Sequence, residues 1–258
     1  MQLFLRYLAF WFRSGNAHSI HSPFVFNLYT RVIRPATHQP VFDSIEKIRA
    51  GLLTSPEEID TVDFGAGSRV SRSPRRRVKD VARYAQKDAR TGQLLFRLVS
   101  HFAPRTIFDL GTSLGVTTLY LAAPNPRAAV YTFEGCPQTL AIAQRNFARL
   151  GFGHIRPVQG NLDQTLPATL EQVASLDFAF FDANHRWEPT VRYFTACLAK
   201  AHEDSVFVFD DIYWSAEMLS AWEEIKSHPA VTLTVDLFHV GLVFFRRKQP
   251  KQHFTLRR

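Results

Sequence analysis

From Thr91 onward the chain alternates short apolar runs with amphipathic stretches, and this alternation constrains its fold more than any other feature. TGQLLFRLVSHF has helical spacing. TIFDL is a short apolar run tipped by an acid, and VTTLYLA opens another helix. AVYTFE, IRPVQG, LDFAFFDA and SVFVFDD read as further strands. QTLAIAQRNFARLG, QTLPATLEQVAS, TVRYFTACLAKA and AEMLSAWEEIKSH read as the helices between and after them. Strands joined through helices run parallel, and helices then cover the sheet on both faces. TLTVDLF and GLVFFRR stand too close for such a crossover and predict a closing antiparallel hairpin. The expected class is α/β: a doubly wound, mostly parallel sheet with a C-terminal antiparallel hairpin, plus a mostly helical N-terminal extension.

The first ninety residues read differently. Pro23, Pro35, Pro40, Pro56 and Pro74 break them into short helices and loops. The expected organisation is an extension over 1–90 acting as a cap or lid, a main domain over 91–247 and a basic tail over 248–258. MQLFLRYLAFWF, at the N-terminus, is apolar for only about a dozen residues, whereas a bilayer span needs roughly 20. It lacks the basic start and the cleavage site of a signal peptide. It reads as a helix packed on the domain, with weak membrane contact or dimerisation as the alternatives. No transmembrane segment is expected, and a homo-oligomer stays open.

Hydrophobic residues make up 46% of the chain, enough for a packed core. Cys136 and Cys197 lie far apart and form no CxxC pair, which argues against a disulfide framework or structural zinc and fits a reducing, cytoplasmic location. The net charge is +8, which admits nucleic acid, a membrane surface or acidic substrates as partners. Much of it lies in two runs: Arg69, Arg72, Arg75, Arg76, Arg77 and Lys79, then Arg246, Arg247, Lys248, Lys251, Arg257 and Arg258. Both runs read as solvated segments.

Two glycine turns compete as a cofactor loop. DFGAGSR, from Asp63 to Arg69, follows a polar, proline-containing stretch and precedes VSRSPRRR, which has no helical periodicity. It reads as a lid or substrate-facing loop whose arginines meet an anionic group, with a plain loop as the alternative. IFDLGTSLG, from Ile107 to Gly115, has the right context: a strand before it and a helix after it. Gly111 and Gly115 permit a tight turn and close backbone approach. A second strand ends in Glu134, 25 residues after Asp109, where such folds place an acid on ribose hydroxyls. Together these features point to an adenosine-containing cofactor in a Rossmann-like sheet.

D-L-G-T-S-x-G followed by T-F-E-G resembles the class I S-adenosylmethionine-dependent methyltransferases. The resemblance implies S-adenosyl-L-methionine as cofactor. Asp109, Gly111, Thr112, Ser113 and Gly115 would lie around its methionyl part, and Glu134 on its ribose. Asn161, after the third strand, falls where that family contacts adenine, although a loop Asn before a helix also serves as a cap.

The fourth strand ends in Asp182, and the fifth in Asp210 and Asp211. Converging carboxylates repel unless a proton or cation neutralises them, and oxygen-only ligands suit Mg²⁺ or another hard divalent ion. The alternative is that these acids cap helices or pair with arginines. D-A-N-H and D-D resemble the strand tips of the metal-dependent catechol and caffeoyl-CoA O-methyltransferases. That resemblance implies a metal on Asp182, Asp210 and Asp211, with Asp182 also beside the cofactor. The family's lysine base falls on His185, and Asp stands at 211 where the family has Asn. His185 and Asp182 are then the catalytic candidates, since histidine titrates near neutrality and suits proton abstraction.

The expected function is O-methylation of a small-molecule acceptor, phenolic or carrier-linked. RNA or protein methylation is the alternative; a nucleic-acid partner is not favoured because no N/D-P-P-Y/F motif or RNA-binding module is present. A non-catalytic cofactor-binding protein is a third reading. His18 and His21 have the spacing of a weak metal pair, but Pro23 follows at once.

Overall fold

The computed structural model describes residues 2–62, 75–247 and 249–258. Two compact units make up the chain: Ala36–Thr169, and Met1–Pro35 together with Leu170–Arg258. The N-terminal extension is therefore shared between them, and no break falls at residue 90. DFGAGSR and Arg72 lie outside the described residues.

The extension opens with helix α1, Gln2–Arg13. Asn16 caps a single 3-10 turn over Ala17–Ser19. Helix α2, Pro23–Leu28, starts where the Ser22 hydroxyl accepts from Val25 N–H and Pro23 takes a first-turn position that needs no donor. Its last turn widens into a π turn over Tyr29–Ile33. The unit from Ala36 begins with α3, Pro40–Thr54, again entered at a proline. Strands β1, Glu58–Asp60, and β2, Arg75–Arg77, pair antiparallel with Ile59 opposite Arg76. Helix α4, Val78–Ala85, follows directly.

Helix α5, Ala89–Phe102, is capped by Asp88, whose carboxylate accepts from Thr91 N–H at 2.7 Å. Then come β3, Thr106–Leu110; α6, Val116–Ala122; β4, Ala129–Glu134; α7, Pro137–Arg149; and β5, Ile155–Gln159. β3 and β5 both pair parallel with β4. A Cβ on Gly92 would lie 2.4 Å from the Tyr120 ring, so this glycine lets α5 approach α6 closely. The Tyr120 hydroxyl donates to Glu46 at 2.7 Å, and Glu46 pairs with Arg49, which also bonds the Lys87 carbonyl. This chain of polar contacts ties α3 to α6.

Helix α8, Leu162–Glu171, starts two residues before the stretch QTLPATLEQVAS. It is followed by β6, Phe178–Phe181; α9, Trp187–Leu198; β7, Val206–Asp210; α10, Ala216–Ser227; β8, Leu233–Asp236; and β9, Val240–Phe244. FAFF and VFVFD are buried along their whole length, as expected of strands covered on both faces. β6 and β7 run parallel, while β9 runs antiparallel to both β7 and β8. The class is the expected one: α/β, with a mostly parallel sheet and a closing antiparallel hairpin. Cys136 and Cys197 are buried free thiols.

The basic tail differs from its expectation. Residues Gln252–Thr255 form strand β10, parallel to β8, with His253 opposite Thr234. Gly15 N–H donates to the Thr255 carbonyl at 2.8 Å, and the Tyr29 hydroxyl to the Arg257 carbonyl at 2.7 Å. Leu256 is buried. Backbone pairing and one apolar anchor hold a segment whose charge alone reads as solvated.

Candidate active site

The candidate residues fall into two groups, one in each compact unit. In Ala36–Thr169 they gather at the carboxyl ends of β3, β4 and β5. Asp109 is fully buried near the end of β3. Its Oδ2 accepts from the Thr118 hydroxyl at 2.6 Å and the Thr132 hydroxyl at 2.9 Å. Thr132 Oγ1 also lies 2.6 Å from Thr112 Oγ1. A buried carboxylate needs donors, and these hydroxyls supply them from α6 and β4. Asp109 thus braces the strand–turn–helix junction from below.

The turn itself runs through positive φ at Gly111 (119°), Ser113 (49°) and Gly115 (84°). Gly115 N–H closes it onto the Thr112 carbonyl at 2.9 Å. A Cβ on Gly115 would lie 2.5 Å from the Phe147 ring and 2.9 Å from Ala143, so the turn is pressed against α7. Asn146, buried on α7, donates to the Leu114 carbonyl at 3.0 Å.

Glu134 ends β4 half-buried. One carboxylate oxygen accepts from Ser113 N–H and the other from Cys136 N–H, each at 2.9 Å. Its backbone carbonyl takes Gly160 N–H at 3.0 Å. One acid therefore fixes the positions of the glycine turn and of the chain entering α7. Asn161 Oδ1 accepts from Asp163 N–H at 3.0 Å, the capping role that the sequence left open, and its amide nitrogen is the donor for other partners. A turn that only glycine tolerates at Gly115, a half-buried carboxylate and an amide suit a ligand carrying vicinal hydroxyls and a heterocycle.

In the other unit, β6 and β7 pair with Phe181 opposite Phe209, so Asp182 and Asp210 follow at neighbouring strand tips. His185 Nε2 lies 3.3 Å from Asp182 Oδ1. Asn184 (68°) and His185 (41°) both have positive φ, an uncommon conformation for two consecutive non-glycine residues. It folds the loop back and turns the imidazole onto the carboxylate. Asp210 is buried. Asp211 also has positive φ (54°), with its N–H on the His239 carbonyl at 2.7 Å and its carbonyl accepting from Trp214.

The ligand set implied by the resemblance is Asp182, Asp210 and Asp211. Among the described residues, no group of three or more His, Cys, Asp or Glu is placed to hold a metal ion. Asp182 lies beside His185, and Asp211 follows β7 with a left-handed backbone. His18 and His21 likewise belong to no such group. Sequence reasoning missed Thr118, Thr132 and Asn146. The usable signal was Thr118 and Thr132 inside the largely apolar VTTLYLA and AVYTFE; Asn146 lies in the amphipathic QTLAIAQRNFARLG and does not stand out there.

Residues 108–212 match the family model of a methyltransferase domain. The chain is 28% identical over 143 residues to a catechol O-methyltransferase of Niastella koreensis, covering 54% of this chain and 62% of that protein. It is 29% identical over 157 residues to a catechol O-methyltransferase of Mycobacterium tuberculosis, covering 60% and 70% respectively. The chain thus spans less than two thirds of the first relative's length. Its fold is shared with an S-adenosylhomocysteine-bound methyltransferase of Podospora anserina, at a TM-score of 0.62 and 14% identity over 90% of this chain and 99% of that one. It is shared also with an O-methyltransferase of Bacillus cereus in complex with S-adenosylhomocysteine, at 0.57 and 18% over 85% and 96%. The matched segment, a methyltransferase domain, contains the glycine turn, Glu134, the Asp182–His185 loop and Asp210, and the similarities together support a class I S-adenosylmethionine-dependent methyltransferase that resembles the catechol and caffeoyl-CoA O-methyltransferases.

Proposed function

We propose that this chain transfers the methyl group of S-adenosylmethionine to a hydroxyl oxygen of a small-molecule acceptor, phenolic or carrier-linked. The observation that carries the reading is the glycine turn clamped on Glu134 through Ser113 N–H, inside a segment matched to a methyltransferase domain. Glu134 holds the ribose hydroxyls and the 111–115 turn lies along the methionyl part. Asn161 meets the adenine through its amide nitrogen, and Asp109 positions the turn. The sulfonium carries an already activated methyl, so the protein has only to align an acceptor oxygen and remove its proton.

His185 takes that proton. With Nε2 facing Asp182, Nδ1 is the nitrogen left to accept it. No step is routed through a cation.

The test is transfer of labelled methyl to a panel of catechols and acyl-carrier-linked phenols. His185→Ala lowers kcat by about 10²- to 10⁴-fold, the usual contribution of a general base, and leaves S-adenosylhomocysteine affinity unchanged. His185→Lys restores part of the rate, and EDTA has no effect. Full activity in His185→Ala, or activity that EDTA abolishes and Mg²⁺ restores, would contradict the assignment of the base.

A further inference from the structure

Helix α1 carries its apolar stripe on the wrong side for a core helix. Phe4, Leu5, Leu8, Trp11 and Phe12 recur at the spacing that normally buries one face. At 100° per residue, with Tyr7 they fill an unbroken arc of roughly 160°. That arc faces solvent: Phe4 is 62% exposed and Phe12 78%, and the other four are also exposed. The side turned to the protein holds Phe10, packed on Tyr213 and Phe238, and Arg6, which donates to the Tyr213 carbonyl at 2.7 Å. These contacts, with the Tyr7 ring edge-on to Phe238 at 5.0 Å, anchor α1, and Phe4, Leu5, Leu8, Trp11 and Phe12 stay exposed on its other side.

The charge around this face is one-sided. Residues 1–42 and 237–258 together contain ten arginines and lysines and no acidic residue, whereas 43–236 carry 21 basic and 23 acidic residues. The whole positive excess of the chain thus lies in its two ends. The fold joins those ends through the Gly15–Thr255 and Arg257–Gly15 backbone bonds. Arg257 lies over the Trp11 ring at 5.0 Å, which puts a cation beside the apolar arc, and Arg13 closes the last turn of α1. A second copy of this surface would bring like charges together. An anionic surface with an apolar interior complements both the charge and the stripe.

We propose that α1, flanked by the basic C-terminal residues, docks the protein onto the surface of an anionic lipid bilayer. Phe4, Leu5, Leu8 and Phe12 enter the acyl boundary, Trp11 and Tyr7 sit at headgroup level, and Arg13, Arg257 and Arg258 meet lipid phosphates. Twelve residues reach only about 18 Å along a helix axis, short of a hydrocarbon core of about 30 Å. No helix among the described residues is long and apolar enough to cross a membrane. The helix lies on the membrane rather than through it.

The test is flotation of the full chain with vesicles of phosphatidylcholine containing about a third phosphatidylglycerol, against phosphatidylcholine alone. The native protein floats with the anionic vesicles and is released by added salt. The triple variant Phe4→Ser, Leu8→Ser, Phe12→Ser, all at exposed positions, loses at least about 100-fold in partition while its melting temperature is unchanged. Arg13→Glu with Arg258→Glu weakens only the binding that depends on phosphatidylglycerol. Failure of the native chain to float would overturn the proposal, as would equal flotation of the triple variant. A concentration-dependent dimer in sedimentation, dissolved by the triple variant and indifferent to vesicles, would assign the face to a second copy instead.

Discussion

Three glycine-to-alanine substitutions separate backbone strain from steric crowding in the cofactor turn. Gly115 adopts φ 84° and faces Phe147 and Ala143, where a new Cβ would sit 2.5 and 2.9 Å away. The left-handed conformation costs an alanine about 1–2 kcal/mol, and overpacking a well-filled contact about 1–3 kcal/mol more. Gly115→Ala should therefore lose about 2–5 kcal/mol. For a chain of this size that is a fall in Tm of roughly 5–15 °C. Gly151 has φ 73° but nothing within 4 Å of its Cβ position, so Gly151→Ala should cost only the backbone part, about 1–2 kcal/mol. Gly51, inside α3, meets neither obstacle; Gly51→Ala should stabilise by about 0.5–1 kcal/mol. Urea unfolding followed by circular dichroism, with thermal melts alongside, measures all three. The order Gly51→Ala above native, above Gly151→Ala, above Gly115→Ala is the expected result. A Gly115→Ala protein as stable as Gly151→Ala would refute the claim that the turn is pressed against α7.

Glu134→Ala removes the acceptor of both Ser113 N–H and Cys136 N–H; it should weaken S-adenosylhomocysteine about 10- to 100-fold, with Glu134→Gln in between, and unchanged affinity in both variants would count against the clamp. Burial raises the pKa of Asp236, against the opposing effect of the Tyr213 hydroxyl and Phe238 N–H that it accepts. The folded state therefore holds that proton more tightly than the unfolded chain, and the contribution of Asp236 to stability falls as pH rises above the usual carboxylate range. Asp236→Asn keeps both hydrogen bonds, with the amide donating to the tyrosine oxygen, and lacks this loss; in urea unfolding its stability relative to native should increase from pH 4 to pH 7, and a relative decrease would show the shift to be in the other direction.

The strands and helices from Thr91 to Phe244 were legible because each apolar run is long enough, or buried on enough sides, to declare its period. TIFDL, AVYTFE and FAFF could be little else. β10 was hidden because Gln252–Thr255 is short and set among lysine, proline and arginine; what makes it a strand is the exposed edge of β8 and the backbone of Gly15, which no local pattern encodes. The stripe on α1 was visible as periodicity, but periodicity does not say whether a face meets the core or solvent. Asp109 and Glu134 were found by their place after a strand. The threonines that hold Asp109 were not, since a buried hydroxyl in a strand needs a partner only the fold supplies. The three acids were legible as strand tips, but the positive φ at Asp211 and the turn that brings His185 beside Asp182 were not.

Calorimetric titration of S-adenosylhomocysteine into the purified full chain, in EDTA, tests the central claim most directly. The account predicts saturable one-to-one binding without a metal and a matching rise in melting temperature. A folded protein that gives no binding heat and no thermal shift would leave Ile107–Gly115 as a structural turn and contradict the proposed methyl transfer.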